Sequence, residues 1–187
     1  MNKVEGLKHL KKLGLKTCDY IIYNKNIELL NFDKNEKYVL RRSTKDNSAT
    51  TSLGIDHDLT YKNLIKKVYD LKVKFDLIIQ KEINIEYMGS VSRYYLNNNV
   101  YVLSIELFDS MSNRLKGKSC DYLINYYIDF DLITRGKIHN SKYITSVFHD
   151  IKNIPYEEYQ MEFVVSSNEI YYTDFDKKEM VRCRALF

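Results

Sequence analysis

A chain of 187 residues with 44 % hydrophobic side chains has the material for one ordinary domain or two small lobes with a core, which sets intrinsic disorder aside. Its 29 Lys and Arg against 25 Asp and Glu leave a net charge of +4 spread along the chain, a field that attracts anions weakly and gathers into no basic patch. Seventeen Tyr, many Asn, Lys and Ile, and a single Pro fit the coding bias of an AT-rich genome as well as they fit an aromatic, basic nucleic-acid surface.

In chain order, Val4, Leu7, Leu10 and Leu13 recur every three residues and predict a short helix that ends at Gly14. A strand over 19–23 follows, then a second, KYVLRR, over 37–42. The stretch 43–54 is rich in Ser, Thr, Asn and Asp and reads as a loop. Helical spacing returns over 59–73 through Leu64, Ile65, Val68 and Leu71, and FDLIIQ over 75–80 reads as a buried strand. Apolar stretches over 88–96 and 100–107, split by Asn97-Asn98-Asn99, predict an antiparallel hairpin. Beyond a polar middle come a strand near 122–128, a helix near 141–152 and a closing hairpin of 159–165 with 170–175, joined at Ser166-Ser167-Asn168. The expected fold class is mixed α+β, divided near Leu77 into an N-terminal α/β half (1–77) and a mainly antiparallel half (78–187).

Cys18, Cys120 and Cys183 are odd in number and lack the paired spacing of a zinc site or disulfide framework, so reduced structural thiols are expected. The N-terminus, MNKVEGLKHLKKLG, is charged and amphipathic rather than a signal sequence, and no later stretch has the length and apolarity of a membrane span. A cytoplasmic location, with no membrane partner, is the expectation.

Several residues have chemistry to offer. Lys3 stands just ahead of the first helix, where a cation either meets a phosphate or is solvated. Arg41 and Arg42 end a strand and lead into Ser43-Thr44; guanidinium forks bind phosphate bidentately and the loop adds hydroxyl and N–H donors, although an edge-strand charge pair would look the same. Glu162 lies within QMEFVV, opposite in direction to Met161 and Phe163, and either needs a partner or sits on a solvated face. Hairpin pairing brings 162 opposite 172–174, so Glu162 and Asp174 converge as hard oxygen ligands of the kind Mg²⁺ uses together with phosphates. His9, His57, His139 and His149 show no metal-ligand spacing, and no nucleophile motif, GxxxxGK[ST] or GxGxxG is present.

Taken in order, these segments resemble the ATP-binding domain of the phosphoenolpyruvate synthase and pyruvate phosphate dikinase family, within the ATP-grasp superfamily. NKVEGLKHLKKLGLKTCDYIIY is similar to that family's opening helix and strand, and RRSTKDNSATTSLGI to its Arg-Ser-Ser loop. LIIQKEI resembles the stretch that crosses between the lobes, EYMGSVSRYYL a following strand, and YQMEFVVSSNEIYYTDF the closing hairpin. The resemblance implies an ATP-grasp-like fold of two small lobes clamping ATP and Mg²⁺. Lys3 and Arg42 would act on the phosphates as the catalytic cations, with Ser43 and Asp46 on the loop, the backbone of Gln80, Lys81 and Glu82 on adenine, and Glu162 and Asp174 on the metal. Asp174 replaces the family's usual Gln and Asp176 an expected Arg, and the phosphohistidine and barrel domains of the family have no counterpart in these residues. The function so implied is Mg-dependent phosphoryl transfer or ligation to an unknown acceptor, which is a small substrate or a partner protein. A non-catalytic nucleotide-binding sensor or scaffold is the alternative. A module binding single-stranded nucleic acid is the weakest reading, because the basic residues do not cluster.

Overall fold

Asn2 starts the first helix, its side-chain oxygen accepting the Glu5 N–H at 2.9 Å. Helix α1 (Lys3–Lys12) buries Val4, Leu7 and Leu10 on one face, and the chain leaves it through Gly14 at φ 76°, a left-handed turn suited to glycine. The computed structural model describes residues 1–23, 32–45, 53–96, 100–108, 122–127, 132–135, 142–155 and 158–177. Asp46 and the Asn97-Asn98-Asn99 turn lie outside these residues, as do Cys120, Cys183 and His139.

Two antiparallel sheets form the framework. The first comprises β1 (Tyr20–Tyr23), β2 (Lys37–Ser43), β3 (Ile55–Thr60) and β4 (Asp76–Lys81) in the order β1-β4-β2-β3. Helix α2 (Tyr61–Leu71) follows β3 directly, capped by the Thr60 hydroxyl, and lays Leu64 and Val68 on this sheet among Tyr38, Leu40, Leu77 and Ile79. The second comprises β5 (Tyr87–Leu96), β6 (Val100–Phe108), β7 (Tyr122–Tyr127), β8 (Leu132–Arg135), β9 (Tyr159–Ser166) and β10 (Glu169–Lys177), in the order β10-β9-β5-β6-β7-β8. Helix α3 (Lys142–Ile151) buries Ile144, Val147 and Ile151 in the core of that sheet, and α1 adds Leu7 and Leu10 to the same core beside Tyr159, Met161, Phe163 and Phe175. Mixed α+β architecture, expected from the pattern, is what forms. No helix among the described residues is long and apolar enough to cross a membrane.

β4 explains how the sheets meet. Its residues 77–80 are all buried: Leu77 and Ile79 face α2, while Ile78 faces the core of the second sheet. A strand covered on both sides reads as a continuous apolar run, and Leu77-Ile78-Ile79 does. The sequence boundary at Leu77 falls inside this strand; the chain passes from one sheet to the other after Lys81, and α1, from the N-terminal part of the chain, packs with the second sheet.

Two strands escaped the sequence reading. β3 carries IDHDLT with only Leu59 buried, and a strand with so little apolar burial leaves a faint alternation signal; β8 is a four-residue edge, too short to show a period. Leu59 and Thr60, expected in the second helix, end β3 instead. The closing hairpin turns through Ser167 and Asn168, both left-handed at φ 51° and 64°, the mirror-image conformation that matches strand twist. A bulge between Tyr172 and Asp174 then adds a residue to β10. Pairing runs Tyr172 with Phe163, then Asp174, rather than Thr173, with Glu162.

Candidate functional site

An open cleft lies between the sheets, enclosing about 560 Å³ with its mouth included. The first sheet contributes Val39, Arg41, Ile55, His57 and Gln80, the second Met88, Glu162, Val164 and Thr173; Lys81, Glu82, Ile83 and Ile85 of the connecting segment close one end. Strand register explains the lining. Val39 is opposite Gln80 and Arg41 is opposite Ile78 across β2 and β4, so these four side chains share one face. On the other wall Glu162 is opposite Ser90 and Val164 opposite Met88.

Of the residues singled out from sequence, Gln80, Lys81, Glu82 and Glu162 line this cleft. Arg42 does not. It shares a strand face with Tyr38 and Leu40, on the α2 side, where its Nη1 donates to the Leu53 carbonyl at 2.8 Å and its Nη2 meets Asp56 at 2.5 Å; Lys67 of α2 pairs with the same carboxylate. Ser43 is fully buried outside the lining, its Oγ accepting the Val4 N–H at 3.4 Å and so tying α1 to β2. Lys3 and Asp174 meet each other just beyond the lining, Nζ to Oδ2 at 2.6 Å.

The arginine in the cleft is Arg41, which the residue pattern puts forward together with Arg42 and the family resemblance passes over in favour of Arg42. It is 4 % exposed. Its Nη1 donates to the carbonyl of Thr173, the bulged residue, at 2.6 Å, and its Nη2 lies 3.6 Å from Asp174 Oδ2. Its Nε is buried with no hydrogen-bond partner among the described residues. A buried N–H donor costs free energy unless something accepts from it. Strand parity was the available signal: with Tyr38 and Leu40 facing a core, Val39 and Arg41 had to face the other way.

At the connecting end, the Glu82 N–H donates to the Lys37 carbonyl at 2.8 Å, fastening the segment to β2. The Glu82 carboxylate accepts the Asp58 N–H at 2.9 Å and lies 3.1 Å from His57 Nδ1, holding Asp58 at φ 57° and turning the His57 ring along the cleft wall. Lys81 is ion-paired with Glu36 at 2.5 Å. Cys18, also in the lining, is a buried structural thiol whose pKa burial pushes up to about 11, so it is no thiolate nucleophile at neutral pH.

Glu162 and Asp174 stand opposite each other across β9 and β10, so their side chains share a sheet face. Without the bulge Glu162 would face Thr173. Both oxygens of Asp174 are engaged, however: Oδ2 by Lys3 and Arg41, and Oδ1 by the Phe175 N–H at 3.0 Å. Mg²⁺ requires near-ideal octahedral oxygen ligation at about 2.0–2.1 Å. As they stand the two acids do not fit it, and among the described residues no cluster of three or more His, Cys, Asp or Glu is arranged to hold a metal.

No family model matches the chain, and no curated protein matches it. Solved structures do. D-alanine-D-alanine ligase from Helicobacter pylori superposes with a TM-score of 0.60 at 16 % identity, over 94 % of this chain and 50 % of that one. D-alanyl-alanine synthetase A from Vibrio cholerae gives 0.61 at 9 % identity, over 94 % and 54 %. N5-carboxyaminoimidazole synthetase from Staphylococcus aureus, in its complex with ADP, gives 0.56 at 14 % identity, over 96 % and 45 %. The chain thus spans about half the length of these ATP-grasp enzymes. At such identities the likeness is one of architecture, and the architecture of this chain is ATP-grasp-like.

Proposed function

We propose that this chain is the nucleotide-binding unit of an ATP-dependent ligase or phosphotransferase, holding ATP between its two sheets. Adenine lies against the backbone of Gln80 to Glu82, the phosphates lie on Arg41, and a small molecule or a partner protein supplies the acceptor. The supporting observation is that one cleft joins the fastened connecting segment to a buried arginine whose Nε has no partner among the described residues. Phosphoryl transfer is catalysed mainly by positioning and charge neutralisation. Arg41, held by Thr173 and Asp174, is oriented before any ligand arrives and does not reorganise as charge develops.

The narrower likeness to phosphoenolpyruvate synthase and pyruvate phosphate dikinase rests on sequence motifs, as does any contact of Lys3 or Arg42 with phosphate. A second reading, a non-catalytic sensor with the same cleft, is favoured by the two cations on Asp174. Both readings agree with two lobes meeting at the cleft and with a cytoplasmic, membrane-free setting.

A thermal-shift screen is the test. ADP and ATP should raise the melting temperature; at about a hundredfold excess over the dissociation constant a ligand stabilises by about 2.7 kcal/mol. No shift with any adenine nucleotide contradicts the proposal. γ-labelled ATP with candidate acceptors then separates enzyme from sensor by whether labelled product forms.

A further inference from the structure

We infer that the Lys3 ammonium is a resident cation at the Glu162–Asp174 pair, standing where a divalent metal would bind, so that nucleotide binds this cleft without one. The inference rests on the reading of the cleft as a nucleotide site. Three observations carry it. The bulge at Thr173 brings Asp174 opposite Glu162, seating two carboxylates on one face of the hairpin. Lys3 Nζ then lies 2.6 Å from Asp174 Oδ2, with both side chains only 21 % exposed, and Arg41 approaches the same oxygen at 3.6 Å. The remaining Asp174 oxygen accepts the Phe175 N–H at 3.0 Å.

Lys3 is not a loose surface lysine that happens to reach an acid. The helix that carries it is pinned on both sides: the Val4 N–H donates to buried Ser43 Oγ, and Gly6 packs so closely on β10 that a Cβ there would meet the Phe175 carbonyl oxygen at 2.6 Å. Lys3 is thereby fixed over Asp174 by its backbone. Lys3 and Arg41 both face the Asp174 carboxylate, so a divalent ion approaching it would meet two fixed cations. An arriving triphosphate finds Arg41 and Lys3 already in place.

The experiment is a titration of Mn²⁺ alone into the nucleotide-free full chain, followed by water-proton relaxation, for wild type and for Lys3→Met and Lys3→Gln. Wild type should take up Mn²⁺ at least about tenfold more weakly than either variant, and adding Asp174→Asn to the variant should abolish the gain. Equal uptake by wild type and both variants, whether tight or absent, overturns the inference. A second arm needs no variant: ADP affinity of wild type, by calorimetry, should agree within about threefold in EDTA and in Mg²⁺, whereas a loss of about tenfold or more in EDTA overturns it. If wild type binds no nucleotide at all, the nucleotide-site reading fails while the Mn²⁺ arm still decides the identity of the cation.

Discussion

Along a strand each residue turns to the face opposite its neighbour, and at Arg41 and Arg42 that half-turn separates two chemical environments. Arg42 points to the α2 side and joins Asp56 and Lys67 in a structural ion cluster; Arg41 points into the cleft between the sheets. Tyr172 shows burial acting on a single titratable group. It is 1 % exposed, its hydroxyl donates to Asp150 Oδ2 at 2.9 Å, and burial, reinforced by that carboxylate, raises its pKa well above the ordinary 10.0. Tyr159 is pushed up to about 12 by burial. A phenol whose pKa is higher folded than unfolded contributes its full stabilisation below the unfolded value and loses it as pH rises toward the folded one. Stability should therefore fall above about pH 10, with Cys18 adding a loss that begins near its ordinary value of 9.0. Urea unfolding from about pH 8 to pH 11 should show Tyr172→Phe less stable at pH 8 by about 1 kcal/mol but with a shallower alkaline decline. Parallel pH profiles contradict this account of Tyr172.

At the scale of elements, glycine lets α1 approach the backbone of β10 closely, where a Cβ at Gly6 would meet the Phe175 carbonyl oxygen at 2.6 Å. Gly6→Ala should cost about 1–3 kcal/mol in chemical denaturation, since backbone rather than a movable side chain meets the new methyl. An unchanged midpoint would mean that the helix does not sit there. Most of these elements were legible in the sequence. The Val4, Leu7, Leu10 spacing marks α1, the apolar Leu77-Ile78-Ile79 run marks β4, and Ser-Asn between alternating stretches marks the closing hairpin and brings Glu162 near 172–174. β3 and β8 were not legible: β3 is an edge strand that buries too little to impose a period, and β8, at four residues, is too short to show one. The bulge at Thr173 was not legible either. It arises where Arg41, from a distant strand, takes the carbonyl that a regular ladder would leave to β9, a tertiary interaction with no local signature.

For the whole molecule, the decisive arrangement is two antiparallel sheets meeting along β4, with the chain crossing from one to the other at Lys81–Ile85 and a cleft left open beside that crossing. Gln80, Lys81, Glu82 and Glu162, which the family resemblance singles out, line this cleft. Of the adjacent arginines, Arg41 lines it and Arg42 does not, a distinction that a two-residue Arg-Arg match cannot make because it carries no information about strand face. That difference isolates the claim on which the functional proposal depends. Calorimetric titration of ADP into wild type, Arg41→Met and Arg42→Met, each confirmed folded, measures it directly. One ADP should bind per wild-type chain, Arg42→Met should retain that affinity within about threefold, and Arg41→Met should lose about tenfold or more, as expected when a charge-assisted phosphate contact worth about 1.5–3 kcal/mol is removed. Equal affinities for the two variants, or a loss confined to Arg42→Met, would contradict a phosphate site on the cleft face of β2.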